Sequence, residues 1–187
     1  MSNTKNSKDV PPPPWKAILT SVPVIALVIA QAGHDYGFFI MIIDLPKYMA
    51  DVLRFPVLKN GLYSSAPYIL MFIMSILTGL ISDYLIKKNK MTITRARVFF
   101  TALSAIGPAI FIVAASYAGC NRGLTVFFFT LSMGFMGAFY PSLKVNPMDL
   151  SPNYAATLMA LSNGMGSFAG VLAPYVVGRM TPNVSFS

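Results

Sequence analysis

Residues 134–178 combine two long apolar segments with a short polar connection between them. The connection carries Asn146, Asp149, Ser151, Pro152 and Asn153. It is too short to form a domain and too polar for lipid, whereas the segments beside it are too apolar for water. A segment of roughly 20 apolar residues can cross a bilayer as an α-helix, because a helix satisfies its own backbone hydrogen bonds. The stretch therefore predicts two membrane-spanning helices joined at the membrane surface.

The same pattern recurs along the chain and predicts an all-α, polytopic membrane bundle of about five spans. Only 11% of the residues are charged, where soluble domains hold about a quarter. We expect a polar, Pro-rich tail over 1–16, a membrane domain over 17–180 and a second tail over 181–187. The expected spans are approximately 18–43, 61–86, 98–117, 124–143 and 155–177. We also expect residues 44–46 to end the first span and Gly107-Pro108 to interrupt the third.

Charge in the loops predicts how the bundle lies in the membrane. With a cytoplasmic N-terminus, the inner segments hold nine Lys and Arg and the outer segments hold five. Because positive loops stay in the cytoplasm, this distribution favours that orientation. Asn183 would then begin an extracytoplasmic glycosylation sequon. The net charge of +8 needs no nucleic-acid partner, since no basic run is long enough to neutralise many phosphates.

Polar side chains inside the first span are candidates for a substrate or ion path. Gln31, His34, Asp35 and Phe38 have the spacing of one helix face. Ionisable groups in a span usually face the bundle interior or a water-filled path, and histidine can change charge near neutral pH. The alternative is that His34 and Asp35 pair with each other, or with a helix carbonyl, and only pack the bundle.

Further candidates lie on other spans. Tyr68, Tyr140 and Asn163 would face the same path, or would only make helix–helix hydrogen bonds. At the end of the second span, Gly79 and Asp83 precede a basic loop, which predicts a charged clamp between helix ends. That predicted clamp consists of Gly79, Asp83, Lys87 and Arg95.

The last span repeats small residues and proline every four positions, at Gly166, Gly170, Pro174 and Gly178. Small residues at this spacing let a neighbouring helix approach closely. The alternative role for this strip is a gating hinge.

Two of these motifs resemble known proteins. The Gly79-x-x-x-Asp83 pattern with its basic loop resembles the major facilitator superfamily. The segment Asn146-x-x-Asp149-Leu-Ser-Pro152, followed by Asn163 and the glycine strip, resembles the anion:cation symporter family within it. That family contains vesicular glutamate transporters, sialin and sodium-dependent phosphate transporters. The resemblance covers nearly all of residues 15–180 and matches spans seven to eleven of a twelve-span fold, so 17–180 would be part of its C-terminal half.

The resemblance implies secondary transport of inorganic phosphate or an organic anion, coupled to Na⁺ or H⁺, across a plasma, vesicular or lysosomal membrane. The expected partners are the small anion, the cation, the lipid bilayer and a full-length relative or missing N-terminal half. His34 stands where the vesicular glutamate branch has arginine, which argues against glutamate. The alternative is a truncated, transport-inactive product or incomplete gene model that at most modulates a relative. A single histidine excludes a two-histidine metal motif, and we expect no enzyme activity, metal or cofactor.

Overall fold

A computed structural model describes residues 11–51, 57–118 and 121–180. The α-helices are α1 (Trp15–Thr20), α2 (Val22–Asp51), α3 (Val57–Lys87), α4 (Ile93–Tyr117), α5 (Arg122–Met136), α6 (Asn146–Leu150) and α7 (Ala155–Met180). A 3₁₀ turn (Gly137–Phe139) and a π-helical turn (Tyr140–Lys144) continue α5, and another 3₁₀ turn (Pro152–Tyr154) precedes α7. The described residues contain no strand, which confirms the all-α prediction.

Five segments are long and apolar enough to span a membrane, as the sequence predicts. They are Val22–Ile43, Ser65–Lys87, Ile93–Tyr117, Gly123–Leu150 and Pro152–Arg179. Helix α2 packs along α7, whereas α3 and α4 each pack along α5. The described helices therefore form two groups, which meet where α2 contacts α3, α5 and the π-helical turn.

The first span differs from its predicted limits at its start, and its helix is longer than the span. Ser21 separates α1 from α2, so that Pro23 lies in the first turn of α2, where a missing amide costs least. The apolar span ends at Ile43, as predicted, although the helix itself continues through residues 44–46 to Asp51. Proline removes one backbone hydrogen bond, but a membrane helix tolerates that loss when its surroundings compensate.

The predicted interruption at Gly107-Pro108 was wrong, because α4 is continuous from Ile93 to Tyr117. Both residues are buried, and the Ser132 hydroxyl donates a hydrogen bond to the Pro108 carbonyl at 3.4 Å. A Cβ on Gly107 would lie 2.8 Å from the Phe135 ring. This glycine therefore serves close packing of α4 on α5 rather than a break.

Helix α4 begins five residues before the predicted start of its span. The Thr92 side chain caps it by accepting a hydrogen bond from the Arg95 amide at 3.3 Å. Arg95 and Arg97 consequently lie on the helix and not in a loop. The polar connection before the last span is also more ordered than predicted, since it contains α6 and a 3₁₀ turn.

The glycine strip of α7 faces α2 at two of its four positions. A Cβ on Gly170 would lie 2.6 Å from the Phe39 ring, and one on Gly166 would collide with the Asp35 carboxylate. Gly178 has open space around its Cβ position, and Pro174 is exposed. The prediction of close packing is confirmed for Gly166 and Gly170 alone.

Candidate functional site

Three polar residues of α2 form one hydrogen-bonded group near the middle of the first span. The Gln31 side-chain amide donates to one Asp35 carboxylate oxygen at 2.7 Å. His34 Nδ1 lies 3.3 Å from the other oxygen. Gln31 is almost fully buried, with 1% of its surface exposed. Both Asp35 oxygens therefore have partners on their own helix. This agrees with the alternative in which His34 and Asp35 pair with each other.

The His34 ring is held flat against the turn that follows α5. It stacks on Phe139 with ring centroids 3.6 Å apart and an angle of 8° between the planes. Phe38 lies on the same helix, with a centroid separation of 6.1 Å from His34. His34 Nε2 is buried and has no hydrogen-bond partner among the described residues. An unpaired buried nitrogen is costly, so it is a candidate for contact with a proton, water or ligand.

A cavity of about 250 Å³ opens beside this group, between α2, α7 and the turns after α5. We call it the polar cavity. Its lining residues are His34, Asp35, Phe38, Phe39, Phe139, Tyr140, Lys144, Asn163 and Ser167. The structure thus brings four predicted path residues together: His34, Asp35, Tyr140 and Asn163. Charged and polar groups among apolar spans make this cavity a candidate binding site or ion path.

Two other predicted path residues do not line the polar cavity. Gln31 lies behind Asp35 and orients its carboxylate. Tyr68 packs against the apolar cluster of Met41, Met133 and Met136. Tyrosine suits such a core because most of its surface is an apolar ring.

Lys144 lines the polar cavity, although its sequence position assigns it to an inner loop. It ends the π-helical turn, and its ammonium donates a hydrogen bond to the Asn163 side-chain oxygen on α7. The same ammonium lies 5.8 Å from the centre of the Phe139 ring, within range of a cation–π contact. The only sequence signal for this role is its spacing of four residues from Tyr140.

A second cavity of about 410 Å³ lies between α2 and α4. Small and apolar residues dominate its lining, among them Ala30, Gly33, Gly37, Ala105 and Ala109. His34 and Phe139 border both cavities. The stacked pair therefore forms part of the wall of each.

The charged clamp at the helix ends is built from other residues than the sequence predicts. Among the described residues, Asp83 forms no ion pair with Lys87 or Arg95. The Arg97 guanidinium instead donates to the Asp149 carboxylate at 2.7 Å and also to the Pro141 carbonyl. We call these three residues the Arg97 clamp. It ties the start of α4 to α6 and to the π-helical turn.

The other predicted motif residues lie at a helix contact or at the start of a short helical segment. A Cβ on Gly79 would lie 3.5 Å from Pro141, so α3 passes close to the π-helical turn. Asn146 begins α6 and Pro152 begins the 3₁₀ turn before α7. Asn183 lies outside the described residues.

Membrane-length helices with a charged cavity between them define a polytopic helical membrane protein. This chain belongs to the Major Facilitator Superfamily, whose sequence model matches residues 2–174.

Sequence relatives agree with this family. A "Putative inorganic phosphate cotransporter" of Drosophila ananassae is 38% identical over 175 residues, covering 94% of this chain and 36% of the relative. Human sialin is 35% identical over 170 residues, covering 91% and 34%. Human vesicular glutamate transporter 2 is 33% identical over 172 residues, covering 92% and 29%. The predicted resemblance to anion:cation symporters is confirmed, and the chain spans about a third of the length of these relatives.

Proposed function

We propose that this chain contributes to secondary transport of a small anion, inorganic phosphate or an organic anion, coupled to Na⁺ or H⁺. The observation that carries the proposal is the polar cavity, where the Lys144 ammonium and the exposed Asn163 amide meet at the face shared by α7 and the π-helical turn. The names of the relatives, a phosphate cotransporter and a glutamate transporter, support an anion as the substrate.

The cavity offers hydrogen-bond donors of the kind that an anion needs. An ammonium has three N–H donors, and Lys144 uses one of them on Asn163. The Asn163 amide nitrogen and the Tyr140 hydroxyl add neutral donors to the same lining. A volume of about 250 Å³ suits an ion of a few heavy atoms better than a large ligand. The aromatic rings of Phe38, Phe39 and Phe139 close the remaining wall.

The Arg97 clamp supplies a connection that can change during transport. A facilitator exposes its site to either side in turn by rocking one group of helices against another. Arg97 joins α4 to the segment that links the Lys144 turn with α7. We propose that breaking or forming the clamp accompanies this motion, and that Gly79, Asp83, Lys87 and Arg95 surround it at the same membrane face.

Uptake into liposomes tests the proposed function. The chain is reconstituted alone and, in parallel, as a chimera in which it replaces the matching segment of the Drosophila ananassae relative. Labelled phosphate, glutamate and lactate are offered under separate Na⁺ and H⁺ gradients. We expect gradient-driven uptake of at least one anion, and a loss of about tenfold with Lys144→Gln, because that variant removes a charge-assisted hydrogen-bond donor.

The matched control is Lys16→Gln, which removes the same charge from an exposed lysine outside the cavity. It should leave uptake unchanged. If neither the chain nor a folded, membrane-inserted chimera accumulates any of the anions, the proposal is contradicted. Equal effects of the two lysine variants would contradict the assignment of the site to Lys144.

A further inference from the structure

We propose that the connection between α3 and α4 binds the headgroup of a polyanionic phospholipid, a phosphatidylinositol that carries additional phosphates, at the membrane surface. This site shares no residue with the polar cavity, and the proposal does not depend on which anion the chain transports. It rests on four basic side chains, on the cavity that two of them line and on the apolar surface beside them.

Four exposed basic residues lie close together in the chain, at the end of α3 and the start of α4. They are Lys87, Lys88, Lys90 and Arg95, which we call the basic cluster. In the part of the chain that the structure describes, none of these four side chains forms an ion pair. Arg97 is not a member, because its guanidinium already binds Asp149 and the Pro141 carbonyl. The basic cluster therefore presents positive charges that no acidic side chain of the described residues balances.

The turn that carries the three lysines has a hydrogen-bonded backbone. The Lys90 amide donates to the Leu85 carbonyl, and the Asn89 amide donates to the Ile86 carbonyl, each at 3.0 Å. This pair of bonds is the Schellman arrangement that closes the C-terminus of a helix. It requires a left-handed residue, and Asn89, with φ at 52°, belongs to a type that adopts this conformation more readily than most. The lysines are therefore held around one short turn.

A cavity of about 370 Å³ lies at this turn, and Lys90 and Arg95 line it together with Asn89 and Thr92. Its volume falls within the range of small-molecule sites, about 300–1,000 Å³. Lysine and arginine bind phosphate through charge-assisted hydrogen bonds, and arginine can use two N–H groups at once. The Asn89 amide and the Thr92 hydroxyl add neutral donors. The cavity therefore suits a headgroup that carries more than one phosphate.

Exposed apolar side chains lie next to the basic cluster on both helices. Tyr84 on α3 is 55% exposed and Ile93 on α4 is 48% exposed. The membrane-length segments Ser65–Lys87 and Ile93–Tyr117 end and begin at the cluster, so it lies at the level of the lipid headgroups. A lipid bound there would place its phosphates among the cations and its acyl chains along α3 and α4.

The alternative is that these charges only keep the connection on the cytoplasmic side of the membrane. That role needs positive charge but no cavity and no particular side chain. A lipid site, in contrast, saturates and depends on the residues that line it. Clusters of about four to eight basic residues beside a membrane span are typical of sites for anionic lipids. A polyanionic headgroup matches several cations better than a headgroup with a single charge.

Titration calorimetry on the full chain in phosphatidylcholine nanodiscs tests the proposal. Dioctanoyl phosphatidylinositol bisphosphate is the lipid probe, because its short chains let it enter the disc from solution, and empty discs give the baseline. Inositol trisphosphate and inorganic phosphate are titrated separately as soluble anions with the same chemistry. We expect saturable binding of one lipid per chain. Both soluble anions should bind at least about tenfold more weakly, because they have no acyl chains to bury.

Single substitutions locate the site. Lys90→Gln and Arg95→Gln each remove one charge from the cavity and should weaken lipid binding about fivefold, the contribution of one basic residue near the membrane surface. Arg95→Gln preserves the cap of α4, because the Thr92 side chain accepts from the backbone amide of residue 95. Lys90→Arg keeps the charge and should bind the lipid like the unmodified chain. Lys16→Gln removes an exposed lysine outside the basic cluster and should leave binding unchanged.

Three results would overturn the proposal. No saturable binding of the lipid would leave the basic cluster with its topological role alone. Equal weakening by Lys16→Gln and Lys90→Gln would show a general attraction between a basic protein and an anionic lipid. Inositol trisphosphate that binds as tightly as the lipid would show a site for a soluble anion. None of these results affects anion uptake through the polar cavity, so this proposal and the proposed function fail separately.

Discussion

At the scale of single residues, Gly166 shapes the site although it has no side chain. The Asp35 carboxylate of α2 occupies the space in which a Cβ of residue 166 on α7 would lie. The charged group is thereby held between two helices, where Gln31 and His34 can reach it. The sequence predicts Gly166 as a packing position. Its missing side chain also leaves the space in which the Asp35 carboxylate lines the polar cavity.

Alanine at Gly166 should disturb this arrangement. The new methyl group would displace Asp35 from its partners or push α2 away from α7, and overpacking of this kind costs about 1–3 kcal/mol. Gly164→Ala is the matched control, because that position lies on the same helix with nothing within 4 Å. Thermal unfolding in detergent should show a lower midpoint for Gly166→Ala and an unchanged or higher one for Gly164→Ala. Equal midpoints would refute the role given to Gly166.

The sequence predicts most cavity residues for one physical reason. Polar groups within apolar spans, such as His34 and Asp35, are expensive in lipid and therefore turn inward. The same reasoning does not predict Lys144 as a cavity residue, because a lysine at the end of an apolar segment ordinarily extends to the membrane surface. Its direction is set by the π-helical turn, which holds one residue more than an α-helical turn and leaves no mark in the periodicity.

At the scale of helices, the Arg97 clamp joins three separate segments through one side chain. Its guanidinium reaches an aspartate on α6 and a carbonyl in the π-helical turn. The sequence predicts a clamp at this end of the bundle but assigns it to Asp83. The difference arises because α4 begins at Ile93, which places Arg97 on a helix instead of in a loop. The length of the loop between the spans does not show where α4 begins.

A double-mutant cycle on Arg97→Gln and Asp149→Asn should measure this interaction. We expect a coupling free energy of about 1 kcal/mol for a partly exposed ion pair. Arg97→Gln should be the more damaging single change, because it also leaves the Pro141 carbonyl without its donor. Chemical denaturation in detergent gives the values, with Asp83→Asn as the control. If Asp83→Asn destabilises the protein as much as Arg97→Gln, the charged clamp involves Asp83, as the sequence predicts.

At the scale of the whole molecule, the bundle shows apolar side chains on its outside as well as in its core. Large exposed examples are Ile69, Phe72, Leu80, Val98, Ile106, Phe168 and Val171. Soluble monomers rarely display such continuous apolar surface. Hydrophobic length and composition predicted these spans well, because the bilayer imposes them. The contacts between spans were less predictable, since lipid-facing and helix-facing surfaces are both apolar.

The loops of such a bundle can be assigned to sides of the membrane by chemical labelling. Lys88 and Asn121 are exposed and lie at opposite ends of α4, so exactly one of them must face the cytoplasm if α4 spans the bilayer. The basic residues between α3 and α4 favour a cytoplasmic Lys88. In a Cys120→Ser background, a membrane-impermeant maleimide should label Asn121→Cys in intact cells and Lys88→Cys only after permeabilisation. The opposite pattern would invert the topology and place the Arg97 clamp, which lies at the Lys88 end of α4, on the outer side of the membrane.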